Sequence, residues 1–357
     1  MQTKVPSFPW LEFIDRPAFC VINGLIADCN IAAKHCMLEV GEDIHALIPD
    51  HWNEYSALTG GCLYLTVTTN GFKHNASVTR IEDYDLFIIN SIANDERLQA
   101  LSLAAQQLRI PLADIMTATD QLLAGLEDSN STTKQKANQI NRGLFRLMRI
   151  TCNMSDTTRF THAATHDMHI VNLTALFDEN IEKASAILSN CSSTLHYTGL
   201  ETPVFGLAKE EMLERAVYNL LSNAIKFSPA GSDINVKLEK IENRISFTVC
   251  NPTTECIAND RFWNNYQREP SIADSHQGLG LGMTLVSAAA FVHGGTVLVD
   301  QPTSTEIRVT MTIPIKSDNS GIVRSPVLSI SDYAGGRDKG LLEFADILPD
   351  KTYEKIN

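Results

Sequence analysis

Apolar residues recur at alternating spacings of three and four through the middle of the chain, and this pattern constrains the fold more than any other. It is interrupted once, by the turn-forming stretch EDSNSTT at 127–133. Such spacing is typical of helices that pack along one seam, and two of them joined by a short turn form an antiparallel hairpin. The seam positions are Leu98, Leu101, Ala105, Leu108, Leu112, Ile115, Thr119, Leu122 and Leu126, then Ala137, Ile140, Leu144, Leu147, Thr151 and Met154.

A hairpin with so narrow a seam cannot bury both of its helices alone. A second copy of the chain would complete a four-helix bundle, so the pattern predicts a homodimer. The alternative is that the hairpin packs on a neighbouring domain of its own chain.

Both flanks of the hairpin have mixed patterns, which predicts an α+β multidomain protein. In the first ninety residues, Asn23-Gly24 and Asn70-Gly71 separate strand-like runs, the strongest short signal for β-hairpins. A helical middle is expected over 32–48. After the hairpin, an α/β sandwich is predicted, with helices at 209–227 and 283–293 and strands at 234–240, 245–250, 296–299 and 306–313.

Composition excludes several classes of function. The 357 residues carry a net charge of −13, which argues against a nucleic-acid partner and against attraction to an anionic membrane. The eight cysteines form no Cys-x-x-Cys pair and are typical of a reducing compartment. The sequence has neither a signal peptide pattern nor an apolar run of membrane-spanning length, so we expect a cytoplasmic protein without a membrane anchor.

Two motifs carry residues suited to phosphate chemistry. In the helix ERAVYNLLSNAIKFSP, Asn219 and Asn223 lie one turn apart, where an amide oxygen of Asn223 could bind Mg²⁺ and Lys226 could reach a phosphate. The alternative is a pair of asparagines that serve only the fold. In HQGLGLGMTLVSAAAFVHGG, Gly278 and Gly280 precede a helix, where backbone amides can close around an anion.

Three stretches of the chain resemble, in order, the N, F and G2 boxes of sensor histidine kinases: NLLSNAIKFSP, RFWNNYQRE and GLGLGMTLVSAAAFVHGG. The ATPase fold of that family is of the GHKL type. The resemblance implies binding of ATP and Mg²⁺, a metal role for Asn223, and these domains: 1–90 sensory, 91–158 dimerisation hairpin, 159–315 ATP-binding and 316–357 C-terminal tail. The first domain resembles a PAS domain by pattern alone. The implied nucleotide-binding residues are Asn219, Asn223, Lys226, Asn251, Gly278, Gly280, Leu281 and Gly282.

The chain departs from the family at the G1 motif. Asn251 replaces the adenine-binding Asp, and Thr253 and Glu255 replace two glycines. An Asn amide oxygen still accepts a hydrogen bond from adenine, but the charge-assisted part is lost, at about 1 kcal/mol. The departures predict weakened nucleotide binding.

The phosphoacceptor motif is altered as well. The stretch AQQLRIPL resembles the family's Ser-His-Glu-Leu-Arg-Thr-Pro-Leu, with Gln106 at the histidine, Gln107 at the glutamate and Ile110 at the threonine. An amide nitrogen is not a nucleophile, because its lone pair is delocalised into the carbonyl group. The degenerate acceptor site therefore predicts a protein that cannot phosphorylate itself.

We therefore expect a signal-transduction protein that binds ATP and acts by conformation and docking, with a response regulator or another histidine kinase as partner. Two alternatives stay open. One is an active kinase that uses a partner or another histidine, such as His162, His166 or His169, which the sequence otherwise indicates to be linker residues. The other is an interaction scaffold with a vestigial nucleotide site.

Overall fold

A computed structural model of the chain describes residues 7–90, 96–125, 131–161, 168–189, 191–254, 281–316 and 337–353. Within these ranges, no helix combines the length and the apolar character needed to cross a membrane.

The N-terminal unit is an antiparallel sheet of five strands in the order β2-β1-β5-β4-β3. Both Asn-Gly pairs form the tight turns that the sequence predicts, with positive φ angles at both residues of each pair. The prediction of one helix over 32–48 is wrong, because Met37 and Gly41 adopt positive φ angles and divide it. The elements are β1 (Ala18–Ile22), β2 (Leu25–Cys29), α1 (Ile31–His35), α2 (Ile44–Leu47), α3 (Trp52–Ser56), β3 (Cys62–Thr69), β4 (Phe72–Ile81) and β5 (Tyr84–Ile89), with 3-10 helices at Pro9–Phe13 and Pro49–His51.

The hairpin consists of α4 (Glu96–Ala124), which contains Pro111, and α5 (Ser131–Thr161). The hydroxyl of Ser102, near the start of α4, donates to the carbonyl oxygen of Ser155, near the end of α5, so the helices are antiparallel. The two-helix hairpin is confirmed.

The hairpin buries a face that differs in part from the predicted seam. Ala105, Met116 and Thr119 are buried, whereas Leu108 and Ile115 are half exposed. The inward face thus comprises residues 102, 105, 109, 112, 116 and 119. Positions 102, 109 and 116 each follow a predicted seam position by one residue. The seam residues left on the surface form an apolar stripe, which comprises Leu108, Ile115 and Leu122 on α4 and Ile140 and Leu147 on α5.

The following unit has helices packed on a mixed sheet of order β11-β12-β10-β9-β7, which confirms the predicted α/β sandwich. Strand β7 runs parallel to β9, and the other pairings are antiparallel. Its elements are β6 (His169–Asn172), α6 (Leu173–Leu188), β7 (Thr194–Thr198), β8 (Phe205–Ala208), α7 (Glu210–Lys226), β9 (Asp233–Ile241), β10 (Arg244–Pro252), α8 (Leu281–His293), β11 (Thr296–Thr303) and β12 (Glu306–Pro314).

The two sheets join edge to edge. Strand β3 pairs with β11, where Leu63 lies opposite Leu298, and one sheet of ten strands results. Gly61 permits the approach, because a Cβ atom on it would lie 2.3 Å from the carbonyl oxygen of Val299. The N-terminal unit and the α/β unit are therefore in direct contact.

The C-terminal segment, residues 337–353, packs on α5, α6 and α7. It contains α9 (Lys339–Glu343) and a 3-10 helix, Asp350–Tyr353. Phe344, Leu348 and Tyr353 are fully buried in the same apolar core as the helices of the α/β sandwich. The tail is thus an integral layer of the fold.

Candidate functional site

Helix α7 positions the predicted asparagines. Leu213, Val217, Leu221 and Ala224 are buried against the sheet, as their helical spacing requires, and Glu210 begins the helix with a charge that favours its N-terminus. The asparagines lie on an adjoining face.

Asn219 is buried, with 1% of its surface exposed, whereas Asn223 is half-buried. The Asn219 side-chain nitrogen donates to the carbonyl oxygen of Arg215 at 2.8 Å. Its Oδ1 atom is buried without a hydrogen-bond partner. Leaving a buried acceptor unpaired is costly, so this oxygen is a candidate contact for a ligand.

Helix α8 approaches the asparagine helix at Gly282. A Cβ atom on Gly282 would lie 2.8 Å from Oδ1 of Asn219 and 3.8 Å from Nδ2 of Asn223. A Cβ atom at this position would therefore crowd the Asn219 amide, whereas it would make only an ordinary contact with that of Asn223. Leu281 begins α8 beside them, whereas Gly278 and Gly280 lie outside the described residues.

Asn251, near the end of β10, lies beside the C-terminal end of α7. Its Nδ2 atom donates to the Ser228 hydroxyl oxygen and to the carbonyl oxygen of Pro252, both at 3.0 Å. The Ser228 hydroxyl in turn donates to the carbonyl oxygen of Ala224 at 2.5 Å. Two acceptors thus fix the orientation of the amide and leave Oδ1 as its acceptor atom for a ligand. Thr253 is buried, and Glu255 lies outside the described residues.

Lys226 follows one turn after Asn223 on α7. Its Nζ atom lies 4.0 Å from an oxygen of Asp346 in the C-terminal segment, and its side chain is largely buried. The predicted phosphate-facing lysine is therefore paired with a carboxylate of the tail.

The predicted acceptor position lies apart from these residues, on the hairpin. Gln106 and Gln107 are exposed on α4, and Ile110 is 70% exposed. Among the alternative histidines, His169 contacts Glu210 at 3.4 Å, whereas His162 and His166 lie outside the described residues.

A buried charge network behind α7 was not predicted from the sequence. Arg215 is fully buried and pairs with Glu343 of the tail and with Asp156 of α5. Burial raises the pKa of the Asp156 carboxyl, although Arg215 and Arg159 act in the opposite direction. Arg215 lies on the side of α7 opposite Leu213 and Val217, so the helical pattern gave no sign of its burial.

Metal ligands of the usual kind are sparse here. Within the described ranges, no three His, Cys, Asp or Glu side chains are grouped as a metal site. The asparagine amide oxygens remain as neutral oxygen ligands, which suit Mg²⁺ when phosphates and water complete its shell. The donor set therefore fits a Mg²⁺ ion that arrives with a nucleotide.

Residues 208–317 match the family described as "Histidine kinase-, DNA gyrase B-, and HSP90-like ATPase". The sensor histidine kinase CusS of Escherichia coli O6:H1 is 27% identical over 205 residues, which cover 55% of this chain and 41% of CusS. Over these residues the chain is similar to sensor histidine kinases.

Two further sensor proteins are similar to about the same share of this chain. The probable sensor protein PcoS of Escherichia coli is 30% identical over 55% of this chain and 42% of PcoS, and the sensor protein KdpD of Clostridium acetobutylicum is 28% identical over 57% of this chain and 23% of KdpD. The chain thus spans less than half of the length of these relatives.

Solved structures of histidine kinases align with parts of this chain. Full-length ShkA in complex with AMPPNP aligns with a TM-score of 0.48 and 19% identity, over 62% of this chain and 46% of ShkA. Histidine kinase ThkA in complex with the response regulator protein TrrA aligns with a TM-score of 0.41 and 13% identity, over 85% of this chain and 96% of that chain.

Proposed function

We propose that this protein is a signal transducer that binds ATP but does not phosphorylate itself, and that it acts by conformation and docking. The observation that carries the proposal is the exposed Gln106 at the position of the phosphoacceptor histidine. Its amide has no nucleophilic nitrogen, and deletion of a nucleophile elsewhere has cost about 10⁶ in turnover. Gln107 and Ile110 lack the carboxylate and the hydroxyl that the family motif supplies.

The proposed nucleotide site lies at Asn219, Asn223, Gly282 and Asn251. The fixed orientation of the Asn251 amide leaves Oδ1 to accept a hydrogen bond from the adenine amino group. Its nitrogen is engaged within the fold. Because Asn251 replaces the Asp of the family motif, its hydrogen bond with adenine is weaker. The Oδ1 atom still accepts a hydrogen bond and so still favours a base that donates one.

Asn223 would hold Mg²⁺ through its amide oxygen. When bound with ATP, Mg²⁺ neutralises charge on the phosphates. The chain's own contribution would be the two asparagine amides, beside which Gly282 lacks the Cβ atom that would crowd Asn219.

We further propose a homodimer, with the apolar stripe of the hairpin at its interface. Leu108, Ile115 and Leu122 are each more than half exposed, as are Ile140 and Leu147. Exposed apolar residues at seven-residue spacing on each helix favour packing against further helices. A response regulator or another histidine kinase is the proposed signalling partner, and the free cysteines of the described ranges fit the reducing cytoplasm.

Calorimetric titration with ATP and ADP, with and without Mg²⁺, tests nucleotide binding. We expect binding by the wild-type protein and loss of its Mg²⁺-dependent part in Asn223→Ala. Gly143→Ala is a control, because a Cβ there meets nothing within 4 Å. An absence of heat with every nucleotide would favour the scaffold alternative. Transfer of label to a partner protein by the wild type, but not by Asn223→Ala, would favour an active kinase.

A further inference from the structure

The C-terminal segment docks on a row of arginines. Arg142, Arg146 and Arg149 share one face of α5, at spacings of four and three. Arg142 pairs with Asp350 at 3.0 Å, and Arg149 pairs with Asp346 at 2.6 Å. The guanidinium groups of Arg142 and Arg146 also donate to backbone carbonyl oxygens of residues 345 and 346.

Apolar contacts hold the same segment independently of Asp346. The ring of Phe344 packs edge-on against Tyr218 of α7, with 5.5 Å between centroids. The ring of Tyr353 lies 4.9 Å from that of Phe145 on α5. The tail is therefore expected to stay docked when the charge of Asp346 alone is removed.

Asp346 connects this surface to the proposed nucleotide site. One oxygen of its carboxylate binds Arg149 and also lies 4.0 Å from Nζ of Lys226. Arg149 donates a second hydrogen bond, at 3.1 Å, to the hydroxyl of Ser222, the residue before Asn223. The Asp346 carboxylate thus contacts both Arg149 and Lys226, next to the helix that carries Asn219 and Asn223.

We propose that Lys226 and Arg149 form an anion site that two ligands share, the carboxylate of Asp346 and a phosphate of the nucleotide. This inference rests on the proposed nucleotide binding. Lys226 is largely buried and Asp346 is about one-third exposed, so solvent screens their pairing only in part. A triphosphate that reaches Lys226 must displace Asp346 or bear its repulsion. Docking of Asp346 therefore weakens nucleotide binding, and nucleotide binding weakens the contact of Asp346 by the same factor.

Asp346→Asn tests the proposal, because it removes the charge and keeps the shape. We expect Mg·ATP to bind about three to ten times more tightly than to the wild type, as removal of one partly screened charge predicts. Adenosine, which has no phosphate, should bind both proteins equally. Asp350→Asn is the matched control, because Asp350 pairs with Arg142, and it should leave both affinities unchanged.

Equal or weaker binding of Mg·ATP by Asp346→Asn would overturn the shared site, while ATP binding by the wild type would still support the proposed function. Failure of all three proteins to bind ATP would refute the proposed function as well. A second measurement uses hydrogen exchange of the wild-type protein. Saturating Mg·ATP should accelerate exchange at residues 345–347, beside the displaced carboxylate, and unchanged exchange there would also count against the shared site.

Discussion

Arg215 of α7 and Glu343 of the C-terminal segment form an ion pair in which both side chains are fully buried. Removal of one partner from such a pair leaves an uncompensated charge in the interior. We expect Glu343→Gln to lower the free energy of unfolding by about 3 kcal/mol, near the lower end of the usual range because Asp156 still pairs with Arg215. Chemical denaturation measures this loss.

The control for that variant is Glu214→Gln, which removes a less buried pair between the same helix and Lys339 of the tail. It should cost at most about 1 kcal/mol. Equal losses for the two variants would mean that the buried network does not anchor the tail.

Gly61 tests the junction between the two units. Its φ angle is +86°, and a Cβ atom would lie 2.3 Å from the carbonyl oxygen of Val299. Gly61→Ala therefore combines backbone strain with a clash against the backbone of β11. Gly41→Ala has the strain alone, since φ is +92° and nothing lies within 4 Å, so it should cost about 1 kcal/mol.

We expect Gly61→Ala to lose about 2 kcal/mol more than Gly41→Ala, since the clash adds to the strain. Denaturation curves of the two variants give the difference. If the two variants lose the same stability, then β3 and β11 do not pair in solution.

His293 predicts a dependence of stability on pH. Burial lowers its pKa to about 4, and nearby Lys316 and Lys209 act in the same direction. The backbone N–H of Lys209 donates to Nε2, so Nδ1 carries the proton and donates to the carbonyl oxygen of Ala289. The folded state thus requires the neutral ring.

Because the pKa is lower in the folded state than in the unfolded one, the stabilisation is complete above about pH 6.5 and is lost as the pH falls towards 4. The loss amounts to about 3 kcal/mol. Unfolding at several pH values should show a smaller acid loss in His293→Gln than in the wild type. An unaltered profile in His293→Gln would show that this ring is not the sensitive group.

Local signals in the sequence predicted much of the fold. The Asn-Gly turns, the hairpin and the sandwich each depend on residues close together in the chain. The prediction of a helix over 32–48 was wrong because no propensity rule anticipated the left-handed backbone conformation at Met37. The hairpin seam was displaced because α5 packs on the α/β unit as well as on α4, so apolar spacing alone did not fix which face turns inward.

The candidate site was predicted in part. Gly282 lies against Asn219, as the motif order implied. The pairing of Lys226 with Asp346 could not be foreseen, because it joins residues 120 positions apart through a tail that the sequence left unplaced. The β3–β11 junction was equally hidden, since edge strands carry no local mark of the partner that they pair with.

The most direct test of the proposed loss of autophosphorylation is incubation of the wild-type protein with γ-labelled ATP and Mg²⁺. Asn223→Ala serves as the background for nonspecific labelling. We predict that the wild type binds ATP, yet yields no acid-labile, base-stable phosphoprotein above that background, because Gln106 offers no nucleophile. A phosphohistidine detected in the wild type and absent from Asn223→Ala would contradict the proposal.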